Sequence, residues 1–283
     1  VIGKDTAVMT PFGLRRVTYA DYTASGRSLA MIEDFIRAQV LPLYANTHTE
    51  TSGTGLQTTR FREEARDVIR RAVGASHEER AVIFAGSGST GAVDRLVGLL
   101  GIRIPRGLSE AYGLEDRVPD DERPVVFVGP YEHHSNKLPW RESIADVIEI
   151  KEDADGHIDL IELESRLVEH AGRSLLIGSF SAASNVTGII SDTSAISRLL
   201  HAHSALSFWD FAASAPYVNI EMGSSAAADG AYKDAIFLSP HKLIGGPGTR
   251  SLTFAWPRCQ LRHAGRSDTT SASATRCTAF TPL

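Results

Sequence analysis

Along this chain, unbroken apolar runs alternate with segments whose apolar residues recur at helical spacing. The runs fall at residues 81–85, 125–129, 175–180, 205–209, 234–238 and 251–256. Several lack the every-other-residue alternation of a half-exposed strand, as expected for strands of a mostly parallel sheet buried on both faces. Between the runs, Phe61, Ala65, Val68, Ile69, Ala72 and Val73 share one helical stripe, and Ile32, Phe35, Ile36 and Val40 another. Leu160, Leu163, Leu167 and Val168 make a third stripe, and Ile196, Leu199 and Leu200 a fourth, with Ser191 or Asp192 as its N-cap. The alternation predicts an α/β fold, a mostly parallel mixed sheet with helices on both faces. Residues 103–123, rich in Pro, Gly and acids, read as a long loop.

The last stretch, residues 258–283, changes character: four arginines, one acidic residue, no lysine and a Ser/Thr/Ala cluster, with little periodicity. Such a composition buries too little apolar surface to fold. It reads as a native tail without regular structure or as an out-of-frame or truncated C-terminus. The organisation expected is an N-terminal segment (1–17), one large domain (18–257) and this irregular tail (258–283).

Composition narrows the function. The 283 residues are 42% hydrophobic and 22% charged, which suits a soluble globular protein, and the net charge of −5 sets up no basic field for nucleic acid or an anionic membrane. There is no apolar run long enough to span a bilayer and no signal-peptide core in Val1-Ile2-Gly3-Lys4-Asp5, so a cytoplasmic address is expected. The two cysteines, Cys259 and Cys277, both lie near the C-terminus, which excludes a disulfide or zinc framework for the main body. The histidines show no helical zinc spacing, and no metal site is expected.

The chemistry-bearing residues stand at the ends of the apolar runs, where open α/β sheets bind their ligands. Ser239-Pro240-His241-Lys242 follows the run 234–238 and leaves through Gly245-Gly246-Pro247-Gly248-Thr249. A lysine so placed is either a solvated charge or an amine presented to the aldehyde of pyridoxal phosphate (PLP). Gly86-Ser87-Gly88-Ser89-Thr90-Gly91 opens a helix after the first run and is either a plain turn or a phosphate cradle of hydroxyls, close backbone and free N–H groups. It has neither a P-loop lysine nor the dinucleotide spacing. Asp210, ending another run, is either a helix cap or the carboxylate that keeps a pyridine nitrogen protonated. In Tyr131-Glu132-His133-His134-Ser135-Asn136, an imidazole is placed in solvent or flat over a cofactor ring. Asn185 is an Asx-turn residue or a donor to a ring oxygen.

Taken in order, Gly88-Ser89-Thr90, Glu132-His133-His134-Ser135-Asn136, Ser184-Asn185-Val186-Thr187-Gly188, Asp210 and Ser239-Pro240-His241-Lys242 resemble the class V aminotransferase family, fold type I PLP enzymes that include cysteine desulfurases. Tyr19-Ala20-Asp21-Tyr22-Thr23-Ala24-Ser25 resembles that family's opening strand-turn, and the likeness runs from about residue 18 to about residue 249. The resemblance implies a Schiff base on Lys242, which also moves the proton at the substrate α-carbon. It implies Asp210 at the pyridine nitrogen, His133 on the ring face and Asn185 near the phenolic oxygen. Thr90, Ser239 and His241, with Ser89 as a weaker candidate, would hold the phosphate. An amino-acid or small-amine substrate and a homodimer are implied as well.

The chain departs from the family pattern in three ways. Ala213 stands where desulfurases commonly carry a glutamine, the small C-terminal domain with its carboxylate-binding arginine is expected to be largely missing, and neither cysteine has the desulfurase context. The reading is a PLP-dependent transferase or lyase; the alternative is a truncated, catalytically incompetent cofactor-binding fragment.

Overall fold

Strands that are apolar on both faces need a cover on each side, and the computed structural model shows how the chain supplies it. The described residues are 1–47, 49–75, 81–224 and 229–247, with the backbone of 252–255. A hairpin of β1 (Ala7–Thr10) and β2 (Gly13–Arg16) comes first, then α1 (Ala30–Phe35), prolonged by a π turn (Ile36–Val40), and α2 (Gly53–Ala72). Then follow β3 (Ala81–Phe84), α3 (Gly88–Leu99), α4 (Arg106–Tyr112), β4 (Val125–Val128), α5 (His134–Arg141) and β5 (Asp146–Glu149). The chain continues through α6 (Leu160–Glu169), β6 (Leu176–Ser181), α7 (Thr193–Ala202), β7 (Leu206–Asp210), β8 (Ala235–Leu238) and β9 (Leu252–Ala255).

The main sheet has the order β3-β9-β8-β7-β6-β4-β5. The five strands β5, β4, β6, β7 and β8 are parallel, and β9 runs antiparallel to both β8 and β3. β3 therefore points the same way as the parallel set, and the loops after β3, β4, β6, β7 and β8 all leave at one edge. Successive residues of a strand face opposite sides. Val125, Phe127, Phe180, Trp209 and Ile236 pack with Leu163 and Leu167 of α6 and Ile196 and Leu200 of α7. Val126, Val128, Ile177, Phe208 and Phe237 pack on the other side with Val93 and Leu96 of α3 and Trp140 of α5. This double cover accounts for the missing alternation.

α7 begins where expected, and the structure chooses its cap. Asp192 accepts the N–H groups of Ser194 and Ala195 at 3.1 and 2.9 Å, while Ser191 is buried and donates its hydroxyl to the Ser181 carbonyl at 2.9 Å. Residues 103–123 are not a plain loop: they hold α4 and two 3-10 turns, Glu115–Arg117 and Asp120–Glu122. Pro105 starts α4 and Gly113, at φ 59°, ends it in the left-handed conformation that favours glycine. The Ile32–Val40 stripe does fold as helix, but Phe35 and Ile36 are exposed rather than in the core. The tail at 258–283 lies outside the described residues.

Candidate active site

Because five strands open at one edge, residues far apart in sequence share a single cleft there. Ser89, at the start of α3, donates its N–H to the Ser239 hydroxyl at 3.0 Å, joining the loop after β3 to the loop after β8. Gly88, at φ 64°, takes the left-handed conformation that favours glycine at the start of this turn. The opposite wall is residues 21–26. Gly26 donates its N–H to the His241 carbonyl at 2.9 Å, and a Cβ at Gly26 would overlap the Leu243 carbonyl oxygen at 1.9 Å. The chain is thereby pressed against the lysine loop, and Asp21, Thr23 and Ala24 face the cleft.

The cleft has a volume of about 420 Å³, and all eight residues singled out from the sequence line it: Ser89, Thr90, His133, Asn185, Asp210, Ser239, His241 and Lys242. Asp210 satisfies both of its sequence readings. One carboxylate oxygen accepts the Ala212 N–H at 2.8 Å, a local cap, and the residue also fronts the cleft. Burial pushes its carboxyl above the usual carboxylate range, against the pull of the Ala212 N–H, Lys242, His133 and Ser89. Lys242, half-buried on the neighbouring loop, has its amine lowered by burial, with Asp210 and Asp21 acting the other way. Burial and then the Lys242 charge lower His241.

His133 is the N-cap of α5. Its Nδ1 accepts the Ser135 N–H at 3.2 Å and lies 2.6 Å from the Ser135 hydroxyl, which holds an exposed ring on the lining of the cleft. The turn after β6 is made by Ser184, whose hydroxyl accepts the N–H groups of Val186 and Thr187 at 3.2 and 3.1 Å; Asn185 is not its Asx residue. The Ser89 hydroxyl lies 3.3 Å from that of Ser135. Ala213, where desulfurases carry glutamine, also borders the cleft.

Sequence reasoning missed Asp21, Ser135, Ser181 and the part played by Glu132. Glu132 was visible as a motif residue, but its partner Ser181 lies 49 positions away and meets it only through the β4–β6 pairing. Among the described residues no cluster of metal-binding side chains occurs, and no helix is long and apolar enough to cross a membrane.

Comparison with known proteins bears on this arrangement. The sequence model of the aminotransferase class-V family matches residues 18–255. The chain belongs to that family, which is one of PLP-dependent enzymes. A probable cysteine desulfurase of Halalkalibacterium halodurans is 28% identical over 240 residues, covering 82% of this chain and 52% of that protein. A probable cysteine desulfurase of Pyrococcus abyssi is 24% identical over 237 residues, again 82% and 52%. The chain thus spans about half the length of these curated relatives. Among solved structures, a NifS-like protein of Rickettsia africae superimposes with a TM-score of 0.64 at 18% identity, over 83% of this chain and 57% of that one. SspA in complex with cysteine gives a TM-score of 0.65 at 19% identity, over 84% and 61%. These likenesses show the fold, the large domain of fold type I.

Proposed function

We propose that this chain holds PLP in the cleft through Lys242 and acts on an amino acid or other small amine. One observation carries the reading: a buried aspartate at the end of β7 and a half-buried lysine amine in the loop after the adjacent β8 face the same cleft. The donor set fits the cofactor. Asp210 supplies a carboxylate for the pyridine nitrogen, His133 a flat ring, and Asn185 a carboxamide for the phenolic oxygen. Ser89, Thr90, Ser239 and His241 surround the N-terminus of α3, where hydroxyls and free N–H groups suit a dianionic phosphate.

Bound there, PLP supplies an electron sink for bonds at the substrate α-carbon. The chain's own residues do the rest. Burial that lowers the Lys242 amine raises its neutral fraction, so Nζ serves as a nucleophile and afterwards takes or returns a proton. Asp210, held by the Ala212 N–H, keeps its carboxylate directed at one point of the cleft. His133, pinned by Ser135, presents its imidazole to the cleft.

Desulfuration of cysteine is one subclass of this reading, supported by the names of the relatives; Cys259 and Cys277 lie outside the described residues. We take the working unit to be a homodimer, a reading supported by large apolar side chains such as Phe12 and Met31, 79% and 75% exposed. A second reading, a chain that holds the cofactor without turning substrate over, draws on Ala213, which borders the cleft where desulfurases commonly carry a glutamine.

Titrating purified protein with PLP separates these readings. A saturable visible absorbance that shifts on adding amino acids supports the enzyme. Saturable absorbance that no amine perturbs favours the second reading, and no absorbance change in the wild type overturns both.

A further inference from the structure

Glu132 stands half-buried at the turn after β4, immediately before His133, and each of its hydrogen-bond partners is a donor. One carboxylate oxygen, Oε1, accepts the Ser181 N–H at 2.7 Å. The other, Oε2, accepts the Ser181 hydroxyl at 2.6 Å and the Asn136 carboxamide N–H at 2.7 Å. Asn136 is itself committed, donating to the Ser179 carbonyl at 3.2 Å while its oxygen takes the Ser179 hydroxyl at 2.7 Å. The Trp140 indole closes the chain on Ser179 Oγ at 3.1 Å. The fold leaves room for this carboxylate by having no side chain at Gly129, where a Cβ would stand 2.8 Å from Oε1.

We propose that Glu132 is a positioning residue that bolts the His133 turn to the Ser181 edge of the cleft, and that its proton decides where the Ser181 hydroxyl points. Of its three donors, the backbone N–H and the Asn136 amide cannot reverse; a hydroxyl can. With the carboxylate ionised, Ser181 donates to it. When a proton from solvent occupies Oε2, the new O–H donates to Ser181 Oγ, and the Ser181 hydroxyl hydrogen is released toward the cleft that Ser181 lines.

The exchange falls in a useful range, since burial pushes the Glu132 carboxyl up to about 7, with the Ser181 and Asn136 donors restraining it and the Asp210 charge raising it further. The groups bearing on it are Asn136 from α5, Ser181 from β6, Asp210 from the end of β7 and the adjoining Tyr131 phenol. The effect on cofactor binding rests on the reading above. The carboxyl–hydroxyl exchange does not, so it is tested without cofactor.

Infrared difference spectra of the PLP-free protein between about pH 5 and about pH 9 should show a protonated carboxyl band that grows as pH falls through about 7. That band should vanish in Glu132→Gln. In Ser181→Ala, which removes one donor to the ionised form, its midpoint should move upward. In a separate arm, PLP should bind Glu132→Gln roughly tenfold more weakly than wild type. No titrating band near neutrality, or an unmoved midpoint in Ser181→Ala, overturns the proposal even in a protein that folds normally. If the wild type binds no PLP while the band behaves as expected, the cofactor reading fails and the Glu132 exchange stands.

Discussion

The two ends of the central strands each carry a buried aspartate, and they are built differently. At the N-terminal end of β8, Asp234 is 1% exposed and accepts the Ser207 N–H at 2.8 Å and the His201 Nε2 at 2.9 Å. His201 is held in turn by the Gly230 carbonyl at 2.6 Å and lies stacked on Tyr232. Burial pulls the His201 imidazole down, but Asp234 and Gly230 outweigh it and hold it above its ordinary value. At the C-terminal end of β7, Asp210 is equally buried at 3% exposure, yet no cation among the described residues comes within ion-pair distance of it. Its countercharges, Lys242 and His133, act across a cleft. Burial of a carboxylate alone does not mark a binding site. What distinguishes the second end is that its charges converge on open space, where a ligand completes them.

The largest expected contrast comes from the cleft lysine. Lys242→Ala should abolish the covalent PLP adduct altogether, whereas Lys233→Ala, at the other end of β8, should leave it intact; mass spectrometry of the reduced protein reads both. The aspartates come next. Asp234→Asn breaks a buried pair and should cost about 3 kcal/mol in urea unfolding while leaving PLP affinity within about twofold. Asp210→Asn should do the reverse, weakening PLP by more than about tenfold with a smaller loss of stability. Equal effects of the two variants on PLP affinity would erase the comparison.

The pH dependence of stability sharpens it further. The folded-state value of Glu132, about 7, lies above its ordinary 4.5, so the folded chain binds more protons than the unfolded one between those values. Its contribution is present below about pH 4.5 and lost as pH rises through about 7, a fall of about 3 kcal/mol that Glu132→Gln should flatten. Asp210 acts in the same direction. His201 is also raised, so the stability it adds at the opposite end is present below its ordinary value and lost as pH rises through its higher folded value. His201→Gln should remove that loss without altering PLP binding. The smallest effect expected is for Asp192→Ala, which deletes the α7 cap away from the cleft and should cost about 1 kcal/mol in urea unfolding and nothing in cofactor affinity.

Much of this was legible before folding was considered. The runs that became β4, β6, β7 and β8 are apolar at successive positions because both faces of each strand are covered, and that leaves a mark no loop imitates. Asp210 was legible because a polar residue closing such a run sits at the sheet edge, and Lys242 because it lies in the short polar segment that follows one. The β1–β2 hairpin was not, since its short strands lie at mostly exposed positions, nor was β5, a half-buried edge strand with only Val147 and Ile148 as apolar residues. α5 escaped because it contains Pro139 and begins inside the histidine motif. The Glu132–Ser181 bond was invisible for another reason: it depends on the register of two strands, which local pattern does not encode.

The central claim is that Lys242 and Asp210 face a cofactor between them, and reduction tests it most directly. Protein equilibrated with PLP, treated with borohydride and digested should carry the cofactor mass on the peptide containing Lys242. That yield should collapse in Asp210→Asn at limiting PLP. Label spread over surface lysines, or fixed at Lys233 in place of Lys242, would contradict the account.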